Sequence, residues 1–350
     1  MRKLLILPTL VILGVFFILP IILTLSSSVY NDTVSTLLPL TSKALQTSQI
    51  AHQSLINDLK LHSRTSTGKL ANYLNRKHPG MRTLILNTAS DVKRGSPLGV
   101  EWKNRDLWNT IRKESSNISL TNYSRIFDTE LPYITVLTRT LLVSALIACV
   151  TLILSYPIAY LLVSLQSSSN IILFIVMLPL WTSILTRIMI WIILLQNQGV
   201  LNKLLIYLGV IDTTLPLMHN LFGIIITTVY IFIPFMVLPL YSTMKEIPLH
   251  YLDIAQVCGH TRFKAFWTVY FPLTLKGVLT SLLLVYILCI GYFITPEMMG
   301  GGRGQFIANS IIFHMHESLN WGLASALTTV LLGIVTFLFI IYIRLSHRVK

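Results

Sequence analysis

Charge is scarce in this sequence. Of its 350 residues, 27 are Lys or Arg and 13 are Asp or Glu, so 11% are charged. Soluble domains carry roughly 25%, and an ordinary soluble domain is excluded on that ground. The formal net charge of +14 invites a nucleic-acid reading. The basic residues are dispersed, however, with no RNP-like run, zinc spacing or basic helix with interleaved aromatics, so nucleic acid is not an expected partner. Cysteine is almost as sparse. Cys149, Cys258 and Cys289 all lie outside the long N-terminal polar region, which leaves neither a disulfide framework nor a metal-ligand spacing, and they read as small buried residues. The P-loop pattern G-x-x-x-x-G-K-[ST] is missing as well. Gly300-Gly301-Gly302-Arg303-Gly304 lacks its Lys and its Ser/Thr. No nucleophile–base set can be assembled near the membrane segments, so the chain reads as no enzyme, with no cofactor of its own.

Apolar residues are what the sequence has in quantity: 53% hydrophobic, with a mean hydropathy of +0.70. Six hydrophobic segments stand out, at about 4–25, 134–156, 171–195, 220–241, 273–294 and 323–343. Each approaches the roughly 20 residues that span a hydrocarbon core. The fold class expected is an all-α membrane protein of six transmembrane helices in a lipid bilayer. The first segment has an alternative reading as a cleaved signal peptide, since Arg2-Lys3 precede it and Ser26-Ser27-Ser28 follow. Its apolar run is long for that purpose, and no small-x-small site closes it. With six spans both termini share a side, and both are basic. Lys245, Arg262, Lys264 and Lys276 join them there, so the positive-inside rule puts termini and the 242–276 loop in the cytoplasm.

Three regions follow: 1–25 as the first span, 26–133 as an extracytoplasmic domain, and 134–350 as a five-helix core with a polar loop at 242–272. Within 26–133, residues 42–62, 67–77 and Trp102–Lys113 suit helices, His78-Pro79-Gly80 suits a turn, and Thr83–Asn87 suits a short strand. That insertion therefore reads as mixed in structure. His314, His316 and Glu317 read as a polar turn, because two histidines one residue apart point to different faces of a helix.

The polar loop is the stretch with most information. Pro248 can open a helix and Gly259 can close it in a left-handed cap. Tyr251, Leu252, Ala255 and Gly259 fall on one face of that helix. Thr261 can cap a second helix, in which Phe263, Phe266, Trp267 and Tyr270 recur at helical spacing, and Pro272 disfavours continuation through Phe271. The result is a helix–glycine turn–helix hairpin suited to docking another protein.

Asp253-Ile254-Ala255, three residues, Gly259, and then Val269-Tyr270-Phe271-Pro272 resemble the "EAA" loop of permease subunits in binding-protein-dependent ABC importers. The family pattern is Glu-Ala-Ala-x3-Gly-x9-Ile-x-Leu-Pro; the chain departs from it at Ile254 and Phe271. From about Asn122 to Arg344 it is similar to the spermidine/putrescine-type permeases. The matching stretches are Asn122–Phe127, Tyr156–Tyr160, 178–205, 238–248, 291–302 and 320–333. The resemblance implies a type I importer permease whose loop seats in a separate ATPase, with Leu252, Asp253, Ala255, Gly259 and Pro272 as coupling residues. It implies as partners two ATPase copies using ATP and Mg, a second, related permease chain, and an extracytoplasmic substrate-binding protein. The insertion 26–121 lies outside the resemblance.

For the pathway, Arg187 stands out, because a charge inside a span must face protein or water. It reads either as shaping a cavity or as an interfacial anchor near Glu297. Glu297 at the outer end of the fifth span suits a cationic substrate, and Trp181, Tyr230, Tyr286 and Tyr292 can hold amines by cation–π contact or anchor at the interface. The substrate expected is a polyamine; a phosphonate, an opine or iron is the alternative within the same architecture. A membrane sensor with an extracytoplasmic receptor domain is the alternative of another class.

Overall fold

A computed structural model describes residues 12–29, 34, 37–46, 51–75, 79–114, 120–127, 132–165, 169–301, 306–317 and 320–348. Arg2-Lys3, the start of the first hydrophobic segment, residues 166–168 and Gly302–Gly304 lie outside the described residues. Regular structure among those described is helical throughout. In chain order the helices are α1 (Gly14–Val29), α2 (Pro39–Gln46), α3 (His52–Leu61), α4 (Arg64–Asn75), α5 (Met81–Lys93), α6 (Arg105–Glu114) and α7 (Thr121–Ile126). They continue with α8 (Tyr133–Ser164), α9 (Ser169–Met177), α10 (Ile184–Leu195), α11 (Val200–Tyr207), α12 (Leu221–Lys245), α13 (His250–Val257) and α14 (Arg262–Ile290). Last come α15 (Ile294–Met299), α16 (Ile307–His316) and α17 (Trp321–Arg348).

The chain divides into two compact units, Met1–Leu131 with Ile311–Val330, and Pro132–Ser310 with Leu331–Lys350. In the first, α2–α6 enclose a core in which Leu38, Leu55, Leu59, Leu70, Leu74, Met81, Ile85 and Trp102 are buried. Two polar devices fix it. The buried Asp58 carboxylate accepts from the Leu40 and Thr41 amides at 3.2 and 2.8 Å, capping the start of α2 from α3. Trp102 donates Nε1–H to Thr88 Oγ1 at 2.8 Å, and Trp108 donates to the Trp102 carbonyl at 2.7 Å. In the same unit, Tyr123 pairs with Ser28 Oγ at 2.7 Å, and Asn122 donates to the Ser28 carbonyl at 3.2 Å, tying α7 to the end of α1.

The strand expected at Thr83–Asn87 is instead part of helix α5. Met81, Ile85, Thr88, Ala89 and Val92 are its buried residues, at steps of three and four. That is the helical period, and a five-residue window is too short to show it. The histidine turn is corrected in the same way, since His314 and His316 lie in the last turn of α16.

In the second unit, α8, α12 and α14 form the central packing, around Ile147, Ile224, Phe232, Met236, Leu240, Val285 and Cys289. Among the described residues, five helical runs are long and apolar enough to cross a membrane: α8, α10 together with α11 (Ile184–Tyr207), α12, α14 and α17. The segment drawn at 171–195 is not one rod. It runs as α9, a 3₁₀ turn at Leu178–Trp181, and α10. Pro179 has no amide hydrogen to continue α9, and Thr182 is extended. Pro157, Pro234 and Pro239 by contrast sit inside continuous helices. Neighbouring helices permit that in a membrane bundle. Gly277 allows α14 to approach α12 closely, for a Cβ there would lie 2.7 Å from Thr243 Cβ.

Candidate docking hairpin and translocation pathway

The hairpin is built from the backbone outward. Helix α13 ends in a Schellman motif: the Gly259 amide donates to the Gln256 carbonyl at 2.9 Å and the His260 amide to the Ala255 carbonyl at 3.1 Å. Gly259 has φ +91°, the left-handed conformation this motif needs. Thr261 then caps α14, its Oγ1 accepting from the Lys264 amide at 3.3 Å. The helix does not stop before Pro272. Phe266–Tyr270 widen into a π-turn, and α14 passes through the proline into the membrane segment. The wider turn accommodates the missing amide hydrogen, so Pro272 marks an adjustment in a continuous helix rather than a boundary.

The π-turn also divides the aromatic face read from sequence. Phe266 and Tyr270 turn inward, while Phe263 is 75% exposed and Trp267 stands half out. Beneath the hairpin, Leu252, Ala255, Ala265 and Tyr270 form a small core with Tyr160, Ile247, Leu249, Phe266 and Val269. Tyr160 meets Phe266 and Tyr270 edge-on at 5.5 and 5.4 Å, and Tyr156 bonds Thr274 Oγ1 at 3.0 Å. Tyr156 and Tyr160 thus anchor the hairpin on the end of α8, a role sequence reasoning missed. Their four-residue spacing at the close of an apolar run is the signal that was available.

Leu252 and Ala255 point into that core, whereas Tyr251, on the same predicted face, is exposed, as are Asp253 and Gly259. What α13 offers outward is mixed, the apolar Tyr251, Ile254 and Val257, the last 89% exposed, beside the exposed His250, Asp253 and Gln256. Asp253 lies in the first turn, where the helix dipole favours a carboxylate. Cys258 and Cys149 are exposed and only Cys289 is buried, which corrects the expectation for the cysteines.

The pathway candidates do not converge on one cavity. Trp181 is 81% exposed, edge-on to Phe174. Tyr230 packs on Trp191 at 5.7 Å. Tyr286 donates to the Leu141 carbonyl at 3.4 Å, on another side of the bundle. Tyr292 lies 5.3 Å from Phe232 and accepts from Thr295 Oγ1 at 3.1 Å, and burial raises its pKa. Arg187 is only 5% exposed; Nη2 reaches the Thr182 carbonyl at 3.4 Å, and Nε and Nη1 have no hydrogen-bond partner among the described residues. Glu297 is bound to Asn309, whose Nδ2 donates to it at 2.5 Å and to the Phe293 carbonyl at 3.1 Å, while Asn309 Oδ1 accepts from the Phe306 amide. Asn309 was not singled out from sequence, although an Asn in the apolar run Phe306–Phe313 is itself unusual. Thr140 adds a cap in trans, its Oγ1 accepting from the Ile307 amide at 2.9 Å.

An apolar helix bundle bearing a braced, partly apolar hairpin is consistent with the membrane subunit that the sequence resembles. Sequence comparison agrees, because the family described as "Binding-protein-dependent transport system inner membrane component" matches residues 152–350. The chain belongs to this family, as an ABC importer permease subunit of the bacterial inner membrane. It is 33% identical over 230 residues to the spermidine/putrescine transport system permease protein PotB of Escherichia coli (strain K12), covering 65% of this chain and 83% of that one. It is 26% identical over 294 residues to the inner membrane ABC transporter permease protein YdcU of the same organism, covering 79% and 93%. In fold it is similar to a chain of a bacterial ABC transporter that imports the acidic polysaccharide alginate. There the TM-score is 0.51 at 17% identity, over 67% of this chain and 85% of that one.

Proposed function

We propose that this permease carries polyamines such as spermidine or putrescine across the membrane, working with a second permease, two copies of an ATPase and an extracytoplasmic binding protein. The likeness to PotB over most of that protein's length supports the substrate class. The observation that carries the mechanism is the hairpin, whose base is locked by Tyr156, Tyr160, Thr274 and Tyr270 while Tyr251, Ile254 and Val257 face outward. A rigid lever with an apolar tip passes a partner's movement to α14 without bending. The ATPase, holding ATP and Mg, supplies that movement; the hairpin and both termini lie in the cytoplasm, and residues 26–133 lie outside. Leu252 and Ala255 hold the lever to its base, Gly259 sets its turn, Asp253 favours its helix start and Pro272 sits where it joins the membrane helix.

On the outer side, Glu297 offers a carboxylate to a cation that is losing its water. Asn309 fixes that carboxylate, and Trp181, Tyr230, Tyr286 and Tyr292 are candidate wall residues, with Arg187 limiting how far a cation advances. The test is radiolabelled spermidine uptake in cells expressing the transporter, with putrescine, phosphonates, opines and ferric iron as competitors. Competition by putrescine alone is the expected outcome; competition by an anion overturns the polyamine reading. Val257→Glu, a change at an exposed site, should leave the permease in the membrane and abolish ATPase co-purification. Retention of the ATPase would refute the docking role.

A further inference from the structure

A cleft of about 320 Å³ lies on the second unit between α8, α14 and α17. Its walls are Ala145, Ala148 and Cys149 from α8, Leu279, Leu282, Leu283 and Tyr286 from α14, and Leu338, Ile341 and Tyr342 from α17. The three alanine and cysteine side chains are small, which is what leaves room between the helices. Both polar groups in the lining are engaged elsewhere, Tyr342 with Thr280 Oγ1 at 2.8 Å and Tyr286 with the Leu141 carbonyl. Apart from the Cys149 thiol, a weak donor, the cleft therefore offers hydrocarbon.

Its end nearer the hairpin is different. Lys276 precedes Leu279, Leu283 and Tyr286 by three, seven and ten residues, so it shares their face of α14, and it is exposed. Arg344 follows Ile341 by three residues on α17 and is exposed too. The Thr280–Tyr342 bond fixes the two helices against each other one turn away. Neither α8, α14 nor α17 contains an Asp or Glu, so no acidic residue of the lining helices answers these two cations.

We propose that this cleft binds one acyl chain of an anionic phospholipid, phosphatidylglycerol or a similar lipid, from the leaflet on the hairpin side, with its phosphate held by Lys276 and Arg344. An apolar slot that opens onto a basic pair at its membrane-surface end matches such a lipid in both halves. Basic pockets between membrane helices attract anionic head groups for this reason. The site adjoins α14, the helix that continues from the hairpin, so an occupying lipid would brace the segment through which the hairpin's movement enters the bundle.

The test uses the full-length chain with its accompanying subunits in phosphatidylcholine nanodiscs. The probe is phosphatidylglycerol carrying a photoactivatable diazirine midway along one acyl chain, and phosphatidylcholine with the same tail is the control. Irradiation should place adducts on peptides containing Cys149, Leu283 or Leu338, in roughly tenfold excess for the glycerol head group given two cations at the surface. Lys276→Gln with Arg344→Gln should bring labelling to the control level, and Leu283→Trp should remove it for both probes by filling the cleft. The wild-type comparison needs no variant, so a variant that fails to assemble does not rescue the idea. Equal labelling by the two head groups overturns it. So does an unlabelled cleft whose Cys149 cross-links to another chain, since the cleft would then be covered by protein.

Discussion

Gly259 holds φ +91° in open space, with no atom within 4 Å of where a Cβ would sit. Its requirement is therefore conformational rather than steric, and a side chain there costs about 1–2 kcal/mol through the left-handed backbone alone. That is too little to unfold a membrane bundle and enough to reset the angle of a short lever. Gly259→Asp is expected to abolish uptake while membrane levels stay normal, as measured by transport assay beside immunoblot; normal transport would refute the coupling role. Arg187 presents the opposite case, a buried cation with two nitrogens that lack hydrogen-bond partners among the described residues. Replacing a buried charged group by an apolar one of similar size is often neutral or stabilising. Arg187→Met should thus leave the thermal transition of the purified protein unchanged or raised, and reduce uptake if the charge serves the pathway. A lowered transition with unaltered uptake would mark Arg187 as structural.

Among elements, α14 joins the hairpin to the bundle in one run of 29 residues. Its π-turn keeps the helix unbroken through Pro272 while dividing the aromatic residues between core and surface. The same helix crosses α12 at Gly277, where the neighbouring atoms belong to Thr243 on a backbone that cannot yield freely. Gly277→Val is expected to lower the stability of the detergent-solubilised protein by about 1–3 kcal/mol through overpacking. Thermal unfolding followed by fluorescence would read this, and an unchanged transition would show that the two helices separate easily. The paired aromatic anchors Tyr156 and Tyr160 belong at this scale too, because they hold an element in place and touch no solute.

At the scale of the molecule, the two units each have a core of their own. In the first, Trp102 is fully buried and both donates to Thr88 and accepts from Trp108. Trp102→Ala should destabilise that unit by about 3–5 kcal/mol. Limited proteolysis of the intact protein should then cut within residues 39–114 well before the membrane helices. Simultaneous loss of both units would show that they unfold together.

Several features were legible in the sequence because they depend on neighbours along the chain. The membrane class follows from scarce charge and long apolar runs, and the glycine turn and the Thr261 cap are local backbone chemistry. The family was legible as a resemblance, carried by Asp253, Ala255, Gly259 and Pro272 and by the stretches from Asn122 to Arg344. Other features depend on partners far away in sequence, and tertiary structure alone decided them. Thr83–Asn87 is helical because Met81 and Val92, on either side of it, share a buried face. The segment 171–195 breaks at Pro179, while Pro234 and Pro239, equally unsuited to a helix, are carried inside one by the packing around them. Glu297 is held by Asn309, twelve residues away on another helix, and Arg187 is buried among side chains distant in sequence. Periodicity along a chain records which residues want burial. Which surfaces meet to bury them, and which polar groups are left without a partner when they do, is settled only when the helices pack.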